Sequence, residues 1–394
     1  MLRSLFSSIS GMRANQTMMD VVGNNIANVN TIGYKSSSAM FEDTLSQMLQ
    51  GASAPSSTAG GSNPAQIGLG VRLAAITTSF TQGAAESTGR STDLMLQGDG
   101  FFIMQEGGQQ VYTRNGSFGF DAAGNLVNAD GGLVQGWPAI NGNVDTKGPL
   151  SKINLPLGTT VPPVDTTTAS FTGNLPSDVA DGSVRTAKLD VYDAQGNARS
   201  LTASYTKVDA THWNVSLDDG VNAPVTGTLD FGGTPTGTQA AGLTLNDGGV
   251  AVNLGNVTGY ATMDTIAADT QNGQAAGTLQ AFAIGQDGSL SGVFSNGVKE
   301  VLAQVAVATF NNPDGLTKNG DSTYGATINS GLAQIGTAGT GSRGLMSSGV
   351  LEMSNVDLAQ EFSNLIIAQR GFQANSRVIT ASDEILQDLV NMKQ

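Results

Sequence analysis

The chain has 394 residues, no cysteine, one histidine, 52 glycines and a formal net charge of −14 from only 13% charged residues. The absence of thiols excludes disulfides, thiolate catalysis and the sulfur ligands of common zinc sites, and a lone histidine excludes a multi-histidine metal centre. So acidic a chain, so poor in bases, argues against nucleic acid as a partner, and no run of about eighteen apolar residues offers membrane insertion.

At the start of the chain Leu2, Leu5, Ile9, Met12, Met19 and Ile26 recur at three- and four-residue steps, with Gln16 and Gly23 at the missing positions. This heptad seam predicts a helix ending near Asn28. Met1 to Met12 is too short and serine-rich for the apolar core of a cleaved signal peptide. Asn24, Asn25, Asn28, Asn30, Thr31, Gly33 and Tyr34 then form a stretch that redirects the chain. Asparagine side chains compete with helical hydrogen bonds, and Gly33 suits a tight turn. Met40 to Leu49 has the spacing of a short helix, and Gly51 to Pro64 reads as a linker.

Strand signals begin near Gly68 and continue through Val71 to Ala75, Leu94 to Leu96, Phe101 to Met104 and Val111 to Thr113, separated by glycine clusters. Asp121 to Asn125 and Asp193 to Asn197 share one turn chemistry. They lack the oxygen ladder and closing Glu of a calcium loop, so hairpin turns are expected. From about 146 to 284 the composition shifts to Thr and Gly, with separate period-two strands at Leu201-Ala203-Tyr205, Trp213-Val215-Leu217 and Val250-Val252-Leu254. The earlier pattern resumes after Gly285. At the end of the chain Phe362, Leu365, Phe372, Ile379, Leu386 and Val390 form a second seam, with Gln369, Ser376 and Asp383 in the gaps. Ser354 and Asp357 resemble a capping box, and a helix from about Val356 to Met392 would run ~55 Å at ~1.5 Å per residue.

Six buried seam side chains contribute ~1.5–3 kcal/mol each, whereas ordering each backbone residue costs ~1–2 kcal/mol before hydrogen bonds are counted. Neither helix can stand alone, so each is expected to be disordered in the free monomer. The expected fold is multi-domain: terminal α-helices in a coiled-coil-like bundle plus two mostly-β domains, the second inserted into the first. The expected bounds are 1–30 with 355–394 for the helices, 31–70 for a connecting segment, 71–145 with 285–354 for the first β domain, and 146–284 for the inserted one. No catalytic, metal or cofactor residue is assigned and no cofactor is expected. His212 sits in a strand beside Trp213, Asp218-Asp219 reads as a turn, and Gly98-Asp99-Gly100 lacks the Lys-Ser/Thr of a phosphate loop. A reading of another class is a secreted carbohydrate-binding β protein that uses its helices to oligomerise.

The stretch Asn24 to Lys35 resembles the N-terminal signature of the bacterial flagellar rod and hook proteins. Asp93 to Phe102, Tyr112 to Phe118, and Ser354 through Asn375 resemble three further segments of that family. The likeness covers about 1–40, 68–140 and 285–394. It implies a structural, non-enzymatic subunit that forms an open helical homopolymer in the bacterial flagellum, with the helices as an inner tube and the β domains outside. It also implies an extracellular location reached through the type III export apparatus without a cleaved signal. Implied partners are the distal rod, the hook-filament junction proteins and the hook cap. The large inserted region points to the hook-type member, a flexible joint transmitting torque from rod to filament, with a distal rod subunit as the alternative.

Overall fold

Neither terminal seam contains proline, and both are helical in the computed structural model: α1 spans Leu2–Ala27 and α2 spans Leu358–Asn391. The structure describes residues 2–52, 54, 60–140, 142–155, 158, 160–232, 244–247 and 249–392, with the side chains of 2–3, 244–247 and 389–390 outside that description. The cap of α2 differs from the expected one. Asp357 Oδ1 accepts the backbone N–H groups of Ala359 at 2.9 Å and Gln360 at 3.2 Å. Asp357 therefore fills the cap position, while Ser354 only closes a turn by accepting the N–H of Val356 at 3.3 Å. A carboxylate at this end also meets the positive pole of the helix dipole.

The two helices run antiparallel in one register. Asn25 bonds to Glu361, Asn15 lies over Gly371, and Asn375 lies over Gly11. A Cβ on Gly11 would stand 2.7 Å from Asn375 Nδ2, and one on Gly371 would stand 2.7 Å from Asn15 Oδ1. The glycines thus let the backbones approach, each covered by an asparagine of the other helix.

After α1 the chain forms two hairpin-like ribbons instead of the expected helix at Met40 to Leu49. Strand β1 (Ser37–Asp43) and strand β2 (Ser46–Gln50) pair respectively with β4 (Val71–Thr78) and β3 (Ala65–Gly68). Short apolar runs do not separate helix from strand by period, and here pairing across 15–22 positions for β2 and 28–41 for β1 decides for strand. Of the expected linker Gly51 to Pro64, residues 53 and 55–59 lie outside the described residues.

Beyond these ribbons the architecture is mostly β and falls into two units. One is Met1–Pro156 with Ala283–Ser291 and Val301–Gln394; the other is Leu157–Phe282 with Gly292–Glu300. In the first, Phe101–Glu106 pairs on one side with Gln109–Thr113 and on the other with Leu133–Ile140. Phe101, Tyr112, Trp137 and Tyr324 form an aromatic core with Ile103. Returning strands close the body: Leu345–Ser348 pairs with Leu94–Gln97, and Val350–Glu352 pairs with Ala85–Ser87. The second unit holds a four-stranded meander (Val184–Tyr192, Ala198–Lys207, His212–Asp218, Val225–Asp230) and another four-stranded sheet. Its expected period-two residues point inward: Leu201, Ala203, Tyr205, Trp213, Val215, Leu217, Val252 and Leu254 are all buried in one core. The two Asp-to-Asn loops are turns. Asp121 Oδ1 accepts the N–H groups of Ala123 and Asn125, both at 2.8 Å, and Asp193 repeats the pattern with Gln195 and Asn197.

Candidate functional site

The seam residues divide into two groups. Leu5, Ile9, Met12, Met19 and Ile26 are half-buried along α1, and Leu365, Phe372 and Ile379 are half-buried along α2. Phe362 and Leu386, by contrast, are 50% and 38% exposed. The side chains of Leu2 and Val390 lie outside the described residues. The fully buried positions of the helix pair are small or polar: Ser8, Val22 and Asn25 on α1, Ala368 and Ser382 on α2. Larger side chains face outward instead, among them Phe6, Ile366, Ile367, Val378 and Ile385. The ribbons do the same with Met40, Leu45, Met48, Ile67, Leu73 and Ile76. One chain therefore buries only part of the apolar surface that its helices and ribbons carry.

The asparagine-rich stretch anchors this surface to the β body. Asn25 is fully buried. Its Oδ1 accepts the Ser37 N–H at 2.9 Å and the Tyr34 hydroxyl at 3.1 Å, while its Nδ2 donates to the Ser37 carbonyl at 2.8 Å and to Glu361 Oε1 at 3.1 Å. Asn28 donates to the Asn24 carbonyl at 2.9 Å and accepts from the Thr31 hydroxyl at 3.0 Å, which shapes the helix exit; Asn30 faces solvent. Gly33 holds φ +67°, and its N–H donates to the Glu352 carbonyl at 2.7 Å. A Cβ there would meet the Asn115 nitrogen at 2.6 Å, so this turn requires glycine on two counts.

Next to Gly33 lies a buried charge cluster that sequence reasoning missed. Lys35 Nζ donates to Glu352 Oε1 at 2.6 Å and to the Thr81 carbonyl at 2.8 Å, with both charged side chains fully buried. Arg114 NH1 stands 3.6 Å from Glu352 Oε2, also buried, and its guanidinium lies 5.3 Å from the centre of the Phe101 ring. Burial pushes Lys35 down from its ordinary value, and its bond to Glu352 opposes that shift. Burial likewise lowers Arg114, opposed first by Glu352. Lys35 and Arg114 lie within stretches that looked distinctive, Asn24 to Lys35 and Tyr112 to Phe118, and Glu352 ends a strand two residues before a third, Ser354 to Asn375. The cluster therefore joins the start of the ribbons, the body and the start of α2.

Glu361 at the other end of Asn25 titrates in an informative direction. Burial raises it above its ordinary value of 4.5; the Asn25 bond opposes this, and Asp357 adds to it. A raised folded-state value means that this group's stabilisation is fully present below 4.5 and is lost as pH rises through the folded value. Glu361→Gln keeps the bond to Asn25 and removes the charge. The variant is expected to melt higher than the parent at pH 7 and level with it well below 4.5, as read by thermal unfolding across that range. His212, in contrast, is a half-exposed strand residue whose Nδ1 lies 2.8 Å from Asp209 Oδ1, and this bond raises it. Among the described residues no cluster of three or more metal-ligating side chains occurs.

Three family models match the chain: Flagella basal body rod protein over 5–35, Flagellar hook protein FlgE/F/G D1 domain over 95–172, and Flagellar basal body rod FlgEFG protein C-terminal over 347–392. Among curated relatives, the flagellar hook protein FlgE of Borreliella burgdorferi is 38% identical over 442 aligned residues, covering 100% of both chains. FlgE of Salmonella typhimurium is 35% identical over 420, covering 99% of this chain and 100% of that one. The basal-body rod protein FlgG of Bacillus subtilis is 33% identical over 395, covering 100% of both. Among solved structures, the Helicobacter pylori flagellar hook protein FlgE2 aligns with TM-score 0.52 at 15% identity, over 68% of this chain and 100% of that one, which is a likeness of fold.

Proposed function

Because the chain belongs to the flagellar hook protein family and is a structural subunit of the hook, we propose that α1 and α2 form the inner tube of an open helical polymer and the β units its outer layers. What carries this reading is the large apolar surface left uncovered on both helices and on the ribbons. Each such side chain contributes ~1.5–3 kcal/mol once buried, and only further copies of the same chain supply matching faces along the whole length. Contacts between unlike faces of identical subunits propagate without closing, which gives a tube. The seam residues and the Asn24 to Tyr34 stretch are assembly residues in this reading, the first as contact surface and the second as the joint that sets the angle of the helices.

The second β unit is read as an insertion. Supporting this, the strand by which the chain first enters it lies beside the one by which it first leaves, with Thr160 opposite Thr278 and Val161 opposite Gly277, before Gly292–Glu300 returns to it. Glycine, serine and threonine on its surface suit small wet contacts that slide, and such contacts would let a tube that transmits torque also bend. Export by the type III route and docking to the distal rod, the junction proteins and the cap belong to the same proposal. The distal-rod reading is the weaker one, since hook relatives match at 38% and 35% against 33% for the rod relative. The relatives are structural proteins of the flagellum, and nothing in the site supports a carbohydrate-binding role.

Electron microscopy of the purified protein tests the proposal. Curved hollow polymers are expected from the full chain and none from a chain lacking 1–27 and 358–394. Straight tubes would favour the rod reading, and polymers from the shortened chain would remove the helices from the account.

A further inference from the structure

The helix register has a consequence for where neighbouring copies meet. It sets Glu384 level with Leu2, so Ile385 to Asn391 lie past the first turn of α1. Ile385 is 51% exposed and Met392 is 87% exposed. This stretch is also the acidic part of α2: Asp383, Glu384 and Asp388 occur with no base between Val378 and Met392, and Arg370 and Arg377 lie upstream. An acidic stretch of helix carrying the exposed Ile385 and Leu386 thus stands without cover among the described residues.

The same chain carries a groove of complementary character. Phe6, Ile9 and Arg13 of α1 and Val71, Arg72 and Leu73 of β4 line an open channel between helix and ribbon of about 410 Å³. Its lining combines apolar Phe6, Ile9, Val71 and Leu73 with basic Arg13 and Arg72 and the hydroxyls of Ser10 and Thr17. Arg72 is engaged by Glu42 within the chain, whereas the exposed Arg13 guanidinium has no ion-pair partner among the described residues.

We propose that this groove is the seat for the last turns of α2 from a neighbouring copy, with Ile385 and Leu386 in the channel and Glu384 or Asp388 against Arg13. The inference rests on the self-assembly reading and names the two faces that meet. They are different faces, as an open helix of identical subunits requires. Apolar burial supplies affinity, and the charges fix direction and exclude the reverse docking.

The absence of native cysteine makes a direct test available. Within one chain Ala14 is level with Phe372, fifteen residues or ~22 Å short of Gln387, far beyond the reach of a disulfide. In polymers of the full chain carrying Ala14→Cys and Gln387→Cys, mild oxidation is expected to give a covalent ladder, and either single variant is expected to give at most dimers. Arg13→Glu is expected to raise the critical concentration for polymerisation about tenfold, and adding Glu384→Arg and Asp388→Arg to the same chain is expected to restore it to within about twofold. A wild-type chain that polymerises, together with double-cysteine polymers that give no ladder and charge reversal that has no effect, would overturn this seat while leaving self-assembly standing. Failure of the wild-type chain to polymerise would instead overturn the reading beneath it.

Discussion

Glu352→Gln is expected to destabilise the first unit by about 3–5 kcal/mol, the cost of removing one partner from a buried ion pair. The charge count decides which residue matters most. Among the described residues Glu352 is the only buried carboxylate facing two buried cations, Lys35 at 2.6 Å and Arg114 at 3.6 Å. Neutralising it strands both, even though glutamine can still accept the Gly83 N–H that Glu352 Oε1 now takes at 2.9 Å. Lys35→Met should cost less, because Glu352 and Arg114 remain as a balanced pair. Denaturant unfolding of the three proteins gives the order directly. A Lys35→Met chain less stable than the Glu352→Gln chain would show that the bond to the Thr81 carbonyl, and not charge balance, governs the cluster.

Gly116→Ala is expected to cost about 3 kcal/mol or more, because the backbone itself must move. A Cβ at this position would stand 1.6 Å from the Leu94 carbonyl oxygen and 2.7 Å from the Leu94 carbonyl carbon. The neighbour cannot rotate away, since the Leu94 N–H is itself bonded to the Gly116 carbonyl at 2.9 Å and Leu94 pairs with Ser348 on its other side. Calorimetry should show the transition of this unit lowered by about 6 °C or more while that of the other unit stays in place. Gly23→Ala serves as the control: it has open space around its Cβ position and lies in a helix, so it should stabilise by about 1 kcal/mol or less. Equal behaviour of the two variants would show that the close approach at Leu94 carries no weight.

The terminal helices and the strands were legible because they rest on period: 3.5 at Leu2 to Ile26 and Phe362 to Val390, and 2 at Trp213-Val215-Leu217. What periodicity could not give was which members of a seam are covered within one chain. Phe362 satisfies the heptad as well as Phe372 does, yet it stays half-exposed within one chain. The close contacts of the helix pair were hidden for the opposite reason. Gly11, Asn15, Gly371 and Asn375 fall outside both heptad seams, although they are where the two helices approach closely. Met40 to Leu49 misled because its partners, Ala65–Gly68 and Val71–Thr78, lie across a stretch with no pattern of its own. The Lys35–Glu352 bond spans 317 positions, and no local signal reports a pairing of that span.

The side-by-side strands at Thr160 and Thr278 bear on how such a chain can diversify. A segment whose two ends are already hydrogen-bonded neighbours can grow, shrink or be exchanged without altering the spacing of the chain on either side of it. Its core is built from its own residues, so new exteriors can be tried there while Gly33, Asn25 and Glu352 keep their geometry. Selection for novelty and selection for mechanical constancy would then act on separate stretches of one gene.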